Sequence, residues 1–169
     1  ESGFIKSRHL DDKACIASMM GLAKHIVENK IKPKNTINFF ISNYEEIGHG
    51  SSFIPENTVE FLAVDMAAPG VGQESDEKAV TICAMDSSTP YDLGMRNKLR
   101  AIAEKNNIDY RIDIYPHYGS DATAALRAGH DIRCALIGPG VDASHSYERT
   151  HILGIENTYR LMLEYLLDR

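Results

Sequence analysis

Stretches of helical period alternate with short β-branched runs along nearly the whole chain, and this alternation restricts the fold more than any single motif. Residues 13–29 carry Ile16, Met19, Ala23, Ile26 and Val27 at helical spacing, ended by Asn29 and Pro33. Residues 36–42 form a β-branched and aromatic run that reads as a strand. Residues 58–65 and 78–85 read as two more strands, separated by the breaker-rich segment 66–77. Residues 92–106 are helical through Met95, Leu99, Ile102 and Ala103, and 110–115 is a strand. Residues 121–128 make a short helix stopped by Gly129, and 132–138 is apolar enough for a central strand. Residues 154–167 gather Ile155, Tyr159, Met162, Leu163 and Leu166 on one helical face. The interleaving predicts an α/β fold, a mainly parallel or mixed sheet with helices on both faces. No repeat or linker-like stretch divides it, so residues 1–169 are read as a single domain.

Composition removes several function classes. The 169 residues are 43% hydrophobic and 25% charged, ample for a core. Lys and Arg number 18 against 24 Asp and Glu, a net charge of -6 with no basic cluster. Nucleic acid is therefore not an expected partner. Apolar stretches such as 37–41 and 61–64 fall far short of the roughly 20 residues that span a bilayer, so a membrane is not expected either. Cys15, Cys83 and Cys134 are odd in number and form no CxxC, which predicts buried free thiols in a reducing cytoplasm. The sequence opens on Glu1 rather than Met, and the reading here is that something upstream has been removed.

The chemistry-bearing residues fall near predicted strand ends, where α/β sheets place their ligands. Glu45 and Glu46 follow the 36–42 run, Asp65 closes the next strand and His145 follows the last. Asp11, Glu46, Asp65 and His145 are the candidate metal ligands, since carboxylates with an imidazole suit zinc, cobalt or manganese. Any one of these carboxylates taken alone is more often a helix cap or loop anchor. The pair Glu45-Glu46 argues harder, because neighbouring carboxylates repel unless a cation or proton separates them. Metal hydrolases use such a pair, one Glu on the ion and the other accepting a proton from its water.

Five runs resemble one family in its own order: Leu10-Asp11-Asp12-Lys13, Tyr44-Glu45-Glu46-Ile47-Gly48, Ala63-Val64-Asp65, Tyr118-Gly119-Ser120-Asp121-Ala122 and Ala143-Ser144-His145-Ser146. They are similar to the dinuclear aminopeptidases of the glutamyl and deblocking type, which assemble into tetrahedral particles. The resemblance implies a zinc-exopeptidase-like fold and hydrolysis of N-terminal residues from peptides by a water activated between two divalent ions, zinc or cobalt. It implies that Asp11 bridges the ions, that Glu46 and His145 complete one site and that Asp65 serves the other. Glu45 would be the general base, and Asp12 would follow a cis peptide bond. Asp12 and Asp121 would shape the substrate pocket or support the ligands; Asp121 reads equally well as a helix N-cap. A peptide substrate and a homo-oligomeric full-length protein follow from the same resemblance.

Two family features are absent: a further histidine ligand well before the bridging aspartate, and an inserted domain that mediates assembly. The chain therefore reads as the C-terminal part of a longer enzyme, holding about one ion alone and having little or no activity. His9, two residues from Asp11, could share its face in an extended segment. His25 is expected to be solvated, and His49, His117 and His151 to be structural or supporting rather than ligands. Arg149 pairs either with a site carboxylate or in an ordinary surface ion pair, and Met19, Met20 and Met162 fill the core. A deacylase or amidohydrolase on the same scaffold, and a non-catalytic metal-binding fragment, are the competing readings.

Overall fold

A computed structural model describes residues 2–167. Its elements are β1 (Phe4–Ser7), α1 (Leu10–Glu28), β2 (Glu60–Val64), β3 (Val80–Asp86), α2 (Leu93–Lys105), β4 (Tyr110–Tyr115), α3 (Asp121–Arg127), β5 (Arg133–Pro139), β6 (Glu148–His151) and α4 (Ile152–Leu167). The main sheet has four strands in the order β2-β5-β3-β4. The β2–β5 and β3–β4 pairs are parallel and β3–β5 is antiparallel, so the sheet is mixed, as expected.

Burial on both faces explains the apolar strands. On one face Val80 and Ile82 of β3 and Ala135 and Ile137 of β5 pack on Leu22 of α1, Leu99 and Ile102 of α2, and Leu161 of α4. On the other, Ala63, Cys83, Cys134 and Leu136 pack with Ala122 of α3. All three cysteines are buried and free. Caps begin two of the helices: Asp92 accepts the Met95 N–H, and Ser120 forms a reciprocal box with Thr123. The N-cap of α3 is thus Ser120, and Asp121 is its first helical residue, which corrects the capping role read from sequence.

One further expectation fails. The 36–42 run is not a strand: it pairs with no described strand, and Phe39 and Ile41 lie exposed. A β-branched run without a ladder partner has nothing to fix its extended form. Conversely β1 and β6, unmarked in sequence, pair antiparallel with Phe4 opposite His151. No described helix is long and apolar enough to cross a membrane.

Candidate metal centre

Each candidate ligand comes from a different element, and the fold converges them. Asp11 sits at the start of α1, where Asp11 and Asp12 have non-helical backbone angles, and the peptide between them is cis, as the resemblance implied. Asp65 directly follows β2, its N–H donating to the Ile137 carbonyl to extend the parallel pairing with β5. Gly138 permits that approach, because a methyl group there would overlap the Asp65 carbonyl. Glu45 and Glu46 lie in a 3₁₀ turn, Glu45–Ile47, and not at a strand end, since the run before them is irregular. His145 lies in the β5–β6 loop, where both it and Ala143 have positive φ (65° and 58°). Such backbone strain at a non-glycine persists only where surrounding contacts hold it.

Glu148 supplies part of that hold, and sequence reading had missed it. Its carboxylate, on β6, is 1% exposed. It accepts the Asp11 N–H at 3.0 Å through one oxygen and the His145 N–H at 3.1 Å through the other. One buried charge therefore ties together two segments 134 residues apart in the chain, Asp11 and His145. Ser144 Oγ adds a 2.6 Å bond to Asp11 Oδ2. A glutamate in a short polar stretch gives no local sign of this role; only the pairing of β6 with β1 beside the site reveals it.

The resulting cluster offers two groups of possible ligands sharing Asp11: Asp11, Glu46 and His145, and Asp11, Asp12 and Asp65. Within each, one ligand atom per residue lies within 4.8 Å of the others. His145 Nε2 stands 2.8 Å from Glu46 Oε2 and 3.4 Å from Asp11 Oδ2. His9 joins neither group: it is exposed, in the left-handed region ahead of α1. His49 instead contacts Ser52 Oγ, and buried His151 accepts the Leu153 N–H. Arg149 pairs with Glu77 at 2.8 Å, in the surface ion pair allowed for above.

The carboxylates are unbalanced. Burial, then the charges of Asp121, Glu46 and Asp11, pushes Glu45 up to about 7. Burial followed by the Glu45 and Asp11 charges pushes Asp65 well above the carboxylate range. Burial, then Asp65, does the same to Asp12, and burial also raises Asp11. No lysine or arginine pairs with these four groups among the described residues. Such a set suits divalent cations, which supply the missing positive charge. A cavity of about 300 Å³ opens over it, lined by Asp11, Glu45, Glu46, Asp65 and His145 together with Tyr115, Ser120 and Arg127. Asp12 and Asp121 stand behind the wall; Asp121 accepts from Ser42 Oγ and lends its charge to Glu45.

Known proteins resemble this chain in sequence and in shape. YhfE of Bacillus subtilis (strain 168), named only provisionally as an aminopeptidase, is 54% identical over 166 residues, covering 98% of this chain and 48% of its own length. A TET aminopeptidase from a marine sediment thaumarchaeon superposes with a TM-score of 0.87 at 16% identity, covering 98% of this chain and 49% of that one. The Pyrococcus horikoshii TET1 peptidase, described as assembling into a tetrahedron or a large octahedral shell, gives 0.82 at 21% identity, covering 98% and 51%. These structural likenesses concern the fold, and the chain spans about half the length of the relatives it matches. The model of the M42 glutamyl aminopeptidase family matches residues 1–161, and the chain belongs to that family.

Proposed function

We propose that this chain is the catalytic part of a metal-dependent aminopeptidase, a C-terminal portion that works with further chain. The observation that carries the reading is Asp11, a carboxylate common to two ligand groups, with Glu45 beside them. Glu46 and His145 would hold one ion with Asp11, and Asp65 would hold the other with it; zinc and cobalt suit the first set of donors best. Ions held there would supply a water of lowered pKa and polarisation of the carbonyl to be cleaved. Glu45, raised to about 7, is suited to accept a proton from the attacking water and return it to the departing amine near neutral pH. Asp121 raises Glu45 by its charge, and Glu148 keeps Asp11 and His145 in register. The roughly 300 Å³ cavity gives room for the first residues of a peptide. Assembly into a homo-oligomer and a cytoplasmic location belong to the same reading, supported by the assembling TET1 relative and the free buried thiols.

The test combines this chain with the part of the Bacillus subtilis relative that it does not match, loaded with zinc or cobalt. Amino-acid amides and N-acyl amino acids are then compared as substrates. Cleavage of the amides is expected. Cleavage of the acyl compounds alone would transfer the site to the deacylase reading, which family membership does not favour.

A further inference from the structure

We infer that Arg127 is the residue that binds a carboxylate of the substrate, on the part of the cavity wall built by α3. Ser120, Thr123, Ala124 and Arg127 follow one another at i, i+3, i+4 and i+7, and all four line the cavity. One face of α3, with its cap, is therefore cavity wall along its length. The two hydroxyls on that face are already engaged: Ser120 Oγ with the Tyr91 hydroxyl at 2.7 Å, and Thr123 Oγ1 donating to Asp86 at 3.0 Å. Asp86 also accepts from the Tyr91 hydroxyl and the Ser88 and Thr89 N–H groups, so it needs no cation. Ala124 presents only a methyl group. What this face offers a ligand is the Arg127 guanidinium.

Arg127 is exposed, makes no hydrogen bond or ion pair with any described residue, and is the only lysine or arginine lining the cavity. α3 begins beside the acidic cluster, since Asp121 lends its charge to Glu45. Arg127 comes six residues later, roughly 9 Å along the axis. Cα–Cβ bonds in a helix tilt toward its N-terminus, so the side chain leaves α3 leaning back toward the Asp121 end. The inference rests on the aminopeptidase reading, under which a bound peptide has two carboxylates to offer: the side chain of an acidic first residue, or the C-terminus of a di- or tripeptide. An extended chain spans about 3.3–3.6 Å per residue, so either suits the distance. The guanidinium's paired N–H donors match the two oxygens of a carboxylate. The other service of an arginine here, a favourable charge at the C-terminal end of a helix, predicts no effect on substrate choice.

The test uses two pairs of compounds that differ only by carboxylate against amide: glutamyl-alanine amide with glutaminyl-alanine amide, and leucyl-alanine with leucyl-alanine amide. Binding is measured by calorimetry on the complete enzyme carrying Glu45→Gln, which slows turnover, and hydrolysis on the enzyme with Glu45 intact. The carboxylate member of one pair should bind roughly 10- to 100-fold more tightly, the usual range for hydrogen bonds to charged groups. A preference in the first pair identifies the side chain, and in the second the C-terminus. Arg127→Gln should bring that ratio toward one, mainly through KM, and Arg127→Lys should restore part of it. Equal binding within both pairs, or a preference that persists in Arg127→Gln, would overturn the role and leave Arg127 a solvated residue at the end of α3. Hydrolysis of none of the four, with an Arg127-dependent preference still present in binding, would overturn the aminopeptidase reading and keep Arg127 as the carboxylate-binding residue.

Discussion

At the scale of single residues, function divides between groups that carry charge to the site and groups that hold them there. Glu45 and Glu46 are adjacent yet differently placed: Glu46 meets His145 Nε2, whereas Glu45 belongs to neither ligand group. In the complete enzyme, Glu45→Gln should leave metal content intact and lower turnover by roughly 10²–10⁴, the usual worth of general acid–base catalysis. Elemental analysis beside a rate assay checks this, and loss of an ion from that variant would place Glu45 among the ligands. Glu148 makes the complementary case. Glu148→Ala leaves two partly buried N–H groups without their acceptor, bonds of a kind worth about 1.5–3 kcal/mol when fully shielded from water. Its melting temperature and its affinity for the first ion should fall together; a variant that loses stability but binds cobalt normally would limit Glu148 to the fold. The candidate ligand carboxylates stand out in the sequence because their type and adjacency are chemically unusual. Glu148 was not, because its partners are backbone groups that no local pattern announces.

Among the elements, β5 controls most of the architecture. It lies between β2 and β3, is buried from Cys134 to Pro139, and carries Gly138 against the Asp65 carbonyl. Gly138→Ala should destabilise by about 1–3 kcal/mol through overpacking and displace Asp65. Denaturant titration and cobalt stoichiometry would show both effects; an unchanged second site would mean that Asp65 relaxes freely. The strands and helices of the main sheet were legible from periodicity, since each buries one stripe or two faces. The expected helix at 13–29 corresponds to the regular part of α1, and those at 92–106 and 154–167 to α2 and α4. The run at 36–42 misled because β propensity expresses itself only against a neighbouring strand. The β1–β6 pair escaped notice for the converse reason: four residues each, the second polar, joined by a pairing between opposite ends of the chain.

For the whole molecule, the clustered carboxylates make stability depend on pH and on cations. Glu45 rises from an ordinary 4.5 to about 7 on folding, because burial and neighbouring carboxylates favour its neutral form. Its stabilising contribution is therefore complete below about 4.5 and is lost as pH rises through about 7. In the presence of a chelator, Glu45→Gln should gain stability relative to wild type across that window, as measured by urea midpoints at successive pH values. A difference that stays flat with pH would show that neither burial nor the neighbouring charges raise Glu45. Divalent cations should raise the melting temperature of wild type, by about 2.7 kcal/mol of stability when free ion exceeds its dissociation constant 100-fold. The sequence by itself determined the α/β class, the strands of the main sheet and the chemical types of the candidate ligands, because periodicity and side-chain chemistry are local properties. Only the tertiary structure decided that Asp11, Glu46 and His145 come together, that His9 joins no ligand group and that Glu148 joins Asp11 to His145. Those outcomes depend on segments distant in the chain being brought within hydrogen-bonding reach, where directions and distances of a few ångströms determine which carboxylates cluster and which meets a backbone N–H.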